Sequence, residues 1–137
     1  VTGFVLDRSV TMSWCFQDEA RPETDALLVH LRDEGAIVPP LWFWEVGNVL
    51  AAALRRGRTD AISVEGLLEV LAALPITADP DAAGQAWGAT LRLARAEGLT
   101  VYDAAYLELA IRKGAGLATT DEKLRTAAQG LGVLVLP

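Results

Sequence analysis

Short apolar runs, separated by longer stretches with helical spacing, organise this chain. Phe4-Val5-Leu6, Ala36-Ile37-Val38, Leu74-Pro75-Ile76-Thr77, Gly116-Leu117-Ala118-Thr119 and Val133-Leu134-Val135-Leu136 read as five strands. Apolar runs without alternation suit strands buried on both faces, and Pro75 marks the third as an edge strand. Between them the period changes to that of helices. Ser9 is a cap for a short helix through Met12, Trp14 and Phe16, and Pro22 opens a second one carrying Leu27, Leu28 and Leu31 and ending near Gly35. Leu41 to Arg56 is the longest early helix, with Val46, Val49, Leu50, Ala53 and Leu54 on its apolar face and Gly57 to end it. Ser63 starts a helix through Leu67, Leu68 and Leu71, and Asp79-Pro80 starts another that holds Trp87, Leu91 and Ala94 and runs to Gly98. Thr100 starts the helix of Asp103, Leu107 and Ile111, and Asp121 opens a short one through Leu124 and Ala128. Strands alternating with helices predict an α/β fold: a parallel sheet of about five strands with helices on both faces. With no repeat, low-complexity tract or linker, residues 1–137 are expected to form one domain.

Composition narrows the class. A hydrophobic fraction of 52% with 22% charged residues describes a globular chain. The longest uncharged stretch, Thr126 to Pro137, is broken by glycines and falls short of the roughly 20 apolar residues a membrane span needs. No basic segment followed by an apolar core opens the sequence, so no signal peptide is expected. Cys15 is the only cysteine, which excludes an internal disulfide and a thiolate metal cage. A reducing cytoplasm is the expected home. The net charge of −6 argues against a broad basic nucleic-acid surface. Carboxylates gathered round metal ions would account for most of that excess, so a nuclease stays open.

Four acidic residues carry the candidate chemistry. Asp7 and Asp121 follow strands at their carboxyl ends, where open α/β sheets bind ligands. Asp103 opens a crossover helix at that same edge, and Glu45 sits in the first turn of the helix after strand two. Each also has a structural reading. Asp7 suits a turn, and Glu45 a solvated helix face. Thr100-Val101-Tyr102-Asp103 is a capping-box pattern, and Thr119-Thr120-Asp121-Glu122 is another, with Glu122 as the box carboxylate and Asp121 in the first turn. Brought together, the four would repel and raise one another's pKa unless a cation lay among them. Mg²⁺ or Mn²⁺ is the natural occupant, because hard divalent ions take oxygen ligands.

At these residues the sequence resembles a known family. Val5-Leu6-Asp7-Arg8-Ser9-Val10, Glu45-Val46-Gly47-Asn48-Val49-Leu50, Tyr102-Asp103-Ala104-Ala105-Tyr106-Leu107 and Leu117-Ala118-Thr119-Thr120-Asp121 look like the ordered motifs of PIN-domain ribonucleases, more narrowly the VapC-type toxins of toxin–antitoxin pairs. The resemblance runs from residue 4 to about 135. It implies metal-dependent endonucleolytic cleavage of RNA by an acidic quartet of Asp7, Glu45, Asp103 and Asp121 with Mg²⁺ or Mn²⁺. It places Ser9, Asn48 and Thr119 around that quartet as groups orienting ligands and waters. It further implies a cognate antitoxin that covers the active site, and homodimer formation. Arg8 departs from the pattern, since a small residue is common there. Its guanidinium would either bind RNA phosphate or pair with a site carboxylate and weaken metal binding.

Other residues are less informative. His30 lies on a helix far from every acidic motif, so a serine–histidine–acid triad has no support. Arg55, Arg56 and Arg58 at a helix end read as dipole partners or as contacts for an RNA backbone. Trp42, Phe43 and Trp44 cannot all face inward from consecutive helical positions, so at least one is expected to meet a partner or a second subunit. Two further readings compete. One is an aspartyl-nucleophile phosphatase, whose opening motif would need a second aspartate where Ser9 stands. The other is a non-catalytic PIN-like module that only binds a partner protein.

Overall fold

The computed structural model describes residues 3–137. Its centre is β1 (Phe4–Leu6), whose three side chains are all buried. Successive strand residues point to opposite faces, so burial of all three requires cover on both sides of the sheet. β2 (Ala36–Val38) and β3 (Ile76–Ala78) extend the sheet on one side of β1, and β4 (Gly116–Ala118) and β5 (Val135–Leu136) on the other. The order is β3-β2-β1-β4-β5, and every pairing is parallel. β3 and β5 contain no buried residue, as suits edge strands, whereas β1 is buried throughout. The expected α/β sheet of five parallel strands is the observed one.

Helices α1 (Arg8–Cys15), α2 (Pro22–Glu34), α3 (Leu41–Arg55) and α4 (Ala61–Ala73) link the first three strands. A longer return follows, through α5 (Ala82–Gln85), α6 (Leu91–Glu97) and α7 (Val101–Lys113), and α8 (Glu122–Gly130) precedes β5. Because the chain leaves β1 toward β2 and comes back to β4 on the opposite flank, the winding reverses between β1 and β4. That reversal opens a crevice at the carboxyl ends of these two strands. Asp7 and Thr119 are the first residues beyond them. The two strand ends are fixed there by backbone bonds, Asp7 N–H to the Ala118 carbonyl (3.0 Å) and Thr119 N–H to that of Leu136 (2.9 Å).

Local chemistry corrects several cap assignments. The cap of α1 is Asp7, whose Oδ1 accepts from Arg8 N–H at 2.8 Å, and Ser9 lies inside the first turn. Asp60, not Ser63, caps α4 by accepting the Ser63 N–H at 2.8 Å. Asp121 itself caps α8 through Leu124 N–H at 2.9 Å, in place of a box made with Glu122. Carboxylates satisfy orphan helix donors as well as hydroxyls do, and they also favour the positive helix end. Thr100 caps α7 as expected, accepting from Asp103 N–H at 3.1 Å. Asp79 caps nothing. It is fully buried, and Arg112 Nη2 donates to it at 2.6 Å. The helix expected from Asp79 to Gly98 is interrupted by a π turn over Ala86–Thr90. The extra residue in such a turn rotates the following side chains, and Trp87, within the turn, is 93% exposed.

Two contacts anchor the helices that frame the crevice. Trp42 is buried, and its Nε1 donates to Thr11 Oγ1 at 3.0 Å, tying the start of α3 to α1. Tyr106 on α7 is fully buried against the same core. Gly3, leading into β1, passes so close to α2's end that a Cβ there would meet the Gly35 carbonyl oxygen at 2.8 Å.

Candidate active site

Asp7 is the most tightly held of the four acids. It is buried, and its Oδ2 accepts from both Ser9 Oγ and Thr119 Oγ1 at 2.8 Å. The two hydroxyls accept in turn from backbone: Thr120 N–H gives to Ser9 (3.0 Å), and Asp121 N–H to Thr119 (3.1 Å). Each hydroxyl has one proton, and both protons go to Asp7. The 3.2 Å approach of the two hydroxyl oxygens is a consequence of that shared acceptor. A chain of bonds therefore runs from β1 across to the entrance of α8, fixing Asp7 and Asp121 relative to each other.

Glu45 is presented by α3, one turn after the buried Trp42. Its carboxylate lies between two donors: the Tyr106 hydroxyl on Oε1 and Arg8 Nη1 on Oε2 at 2.7 Å. Arg8 also stands 3.8 Å from the Asp103 carboxylate. Asp103 is in the first turn of α7, held by the Thr100 cap, with Tyr106 three residues further on. Residues three apart share a helix face, so α7 delivers one carboxylate and one phenol to the crevice.

The charges do not balance. Four carboxylates face one guanidinium. Burial pushes the Glu45 carboxyl up, and the charges of Asp7 and Asp103 push it further, against the opposing bond from Tyr106 and charge of Arg8. Burial likewise raises Asp103, with repulsion from Asp7 and Asp121 adding to it and Arg8 opposing. Burial and the Glu45 carboxylate hold the Tyr106 phenol far above its ordinary range, so it remains a donor. The Arg8 guanidinium loses hydration by burial, but Glu45, Asp7 and Asp103 outweigh this and keep it charged.

All four predicted acids therefore meet at the crevice, and Ser9 and Thr119 bond directly to Asp7. Asn48 lies exposed on α3, three residues after Glu45, and makes no side-chain hydrogen bond among the described residues. Arg8 resolves toward pairing with a site carboxylate in this state. Tyr106 belongs to the third motif, which by itself assigns it no role. Its position three residues after Asp103 was the available signal. His30 is exposed and stacks on Phe4, with ring centroids 5.7 Å apart. Arg58 is spent on Asp18 and Glu19 (2.8 Å each) and on the Phe16 ring. Trp44 is 70% exposed and Phe43 half exposed, so the aromatic triplet divides as its spacing required.

Among the described residues no three His, Cys, Asp or Glu side chains form a group able to hold a metal ion as they stand. Arg8 lies between Glu45 and Asp103, and Tyr106 ties Glu45 to α7. The donor set nonetheless fits a hard divalent cation. It is all oxygen, and its upward-shifted acids show a shortage of positive charge.

A switch-point crevice lined with carboxylates is the frame of a recognised class. The PIN domain family matches residues 4–130, and the chain belongs to that family. Among curated proteins, it is 35% identical over 91 residues to Exonuclease VapC9 of Pyrobaculum aerophilum. That alignment takes in 66% of this chain and 65% of the relative, so the chain spans slightly less than two thirds of the relative's length. The fold matches the crystal structure of PAE2754 from Pyrobaculum aerophilum with a TM-score of 0.72 and 27% identity, over 98% of this chain and 90% of that one. The resemblance to VapC-type PIN domains read from the four motifs is met by these findings. No helix among the described residues is long and apolar enough to cross a membrane.

Proposed function

We propose that this protein is a metal-dependent endoribonuclease, working as one domain in the cytoplasm as the toxin of a toxin–antitoxin pair. The observation that carries the reading is the gathering of Asp7, Glu45, Asp103 and Asp121 at the switch point, with Glu45 and Asp103 shifted upward by burial and mutual repulsion. Such a cluster is unfavourable for folding, and a cation-dependent reaction explains its presence. These four would hold Mg²⁺ or Mn²⁺, directly or through water. Such an ion would supply Lewis-acid activation of water and charge stabilisation for the phosphate oxygens.

The chain's own groups do the rest. Ser9 and Thr119 orient the Asp7 carboxylate through two bonds to one oxygen, which leaves Oδ1 facing Arg8 N–H. Tyr106 fixes Glu45 by the opposite edge of its carboxylate. Asp103, held in the first turn of α7 by the Thr100 cap and 3.8 Å from Arg8, is assigned to hold the ion or one of its waters. Asn48 is exposed beside Glu45 and is assigned to substrate or water.

Fold and chemistry oppose the competing readings. The position that a phosphatase would fill with a second acid is Ser9, whose hydroxyl is committed to Asp7. A pure binding module has no use for four carboxylates that repel. The partner surface we assign to the antitoxin is the apolar hollow of about 240 Å³ lined by Pro40, Leu41, Val101 and Tyr102, next to Asp103. The exposed Phe43 and Trp44 suit a second copy of the chain.

One observation favours a second reading of the cleavage mode, since the curated relative is named an exonuclease. Incubation of the protein with linear and covalently circular single-stranded RNA separates the two. The proposed activity cuts both with Mg²⁺ or Mn²⁺, and stops with EDTA or in Asp103→Asn. Cutting of the linear form alone would establish the exonuclease reading. Undiminished cleavage by Asp103→Asn would overturn the site assignment.

A further inference from the structure

Among the described residues, Arg112 and Arg8 each pair with carboxylates that are buried or partly buried, and they are held very differently. Arg112 makes three short bonds, to Asp79 (2.6 Å) and to both oxygens of Glu108 (2.7 and 3.0 Å). Arg8 makes one, to Glu45, while Asp103 at 3.8 Å lies beyond hydrogen-bond reach. A guanidinium carries five N–H donors, so most of Arg8's donors are unspent among the described residues. Its side chain is 39% exposed. Glu45, moreover, does not depend on Arg8 for its position, since Tyr106 holds its other oxygen. Arg8 therefore neutralises charge in the crevice without being built into it.

We propose that Arg8 is an exchangeable counter-ion, an inference that rests on the metal-dependent nuclease reading above. In the metal-free protein its guanidinium stands between Glu45 and Asp103, in the place of a divalent cation. Cation binding removes the reason for that pairing, because the doubly charged ion satisfies both carboxylates and repels the guanidinium. Arg8, at the first position of α1 and one residue from Asp7, then turns its planar fork to a phosphate of the RNA backbone. A guanidinium matches phosphate in a bidentate manner that an ammonium cannot. Arg8 is thus a positioning residue with two uses: it suppresses repulsion in the empty site and binds substrate in the loaded one. No covalent step is involved.

The test compares wild type, Arg8→Ala and Arg8→Lys by calorimetric Mn²⁺ titration, thermal midpoint in EDTA, and RNA cleavage kinetics. Arg8→Gln serves as the neutral variant should Arg8→Ala not fold. Removing the competing charge should tighten Mn²⁺ binding by about tenfold and lower the midpoint in EDTA. It should also raise KM for RNA by about tenfold, through loss of a charge-assisted bond. Arg8→Lys should keep the EDTA midpoint near wild type yet fail to restore KM. Unchanged or weaker Mn²⁺ binding in the neutral variant, with cleavage intact, would overturn the counter-ion role alone. Tighter Mn²⁺ binding with an unchanged KM would overturn the phosphate role. Absence of Mn²⁺ binding in wild type and variants alike, all folded, would overturn this proposal and the metal-nuclease reading together.

Discussion

Two clusters of acids, one buried and one at a crevice, sit in one small protein and obey opposite rules. Around Asp79, on the edge-strand side of the sheet, two carboxylates meet Arg112, with Lys113 Nζ 3.9 Å away. Burial pushes the Asp79 carboxyl up, but the bond and charge of Arg112, the Asp81 N–H and Lys113 outweigh it, and the net shift is downward. At the switch point, four carboxylates share one loosely held guanidinium, and the net shift of Glu45 and Asp103 is upward. The first cluster is a lock, with charge matched by charge. The second is deficient in positive charge, which is a cost to the empty fold and the reason we assign a cation to it.

The contrast can be broken from either side. The largest effect is expected from Arg112→Met, which leaves the buried Asp79 without its hydrogen-bonded guanidinium and with only Lys113 nearby. Chemical denaturation should show a loss of about 3–5 kcal/mol, while cleavage per folded molecule changes little. Asp103→Asn should do the reverse. Removing one of four repelling charges should raise the thermal midpoint in EDTA, and RNA cleavage should fall by about 100-fold or more, about 2.7 kcal/mol. A fall in midpoint would mean that Asp103 is structural.

Thr119→Val is intermediate. It removes a donor from Asp7 and leaves the Asp121 N–H without its acceptor, for about 1–3 kcal/mol of stability. Mn²⁺ affinity should drop by about 10- to 100-fold, as when a group orienting a metal ligand is lost. The smallest effect is in the pH dependence of stability without metal. Glu45 and Asp103 bind protons more tightly folded than unfolded, so their contribution should improve as pH falls from neutral through their raised range, and worsen as pH rises through it. Asp79 works in the opposite sense, its contribution being lost as pH falls through its lowered range. Saturating Mg²⁺ should flatten the first component and leave the second. A profile unaffected by Mg²⁺ would contradict a cation site among Glu45 and Asp103.

Much of this was legible in the chain itself. Five apolar runs and their spacing are enough to state a parallel sheet, because a strand buried on both faces leaves a compositional mark in residues such as Phe4, Val5 and Leu6. The four acids could be named from their places after strands and at helix starts. Thr100 and Pro22 marked helix starts for the same local reason. What the chain could not show is which polar groups pair across it. Asp79 followed by Pro80 has the local form of a helix start. Its actual partner, Arg112, lies 33 residues away and is brought to it only by folding. The pairing of Arg8 with Glu45 spans 37 residues, and that of Tyr106 with Glu45 spans 61. Periodicity and capping are short-range consequences of backbone geometry, so sequence encodes them directly. Charge balance in a crevice is a sum over elements that meet in space, and the winding reversal between β1 and β4 decided it.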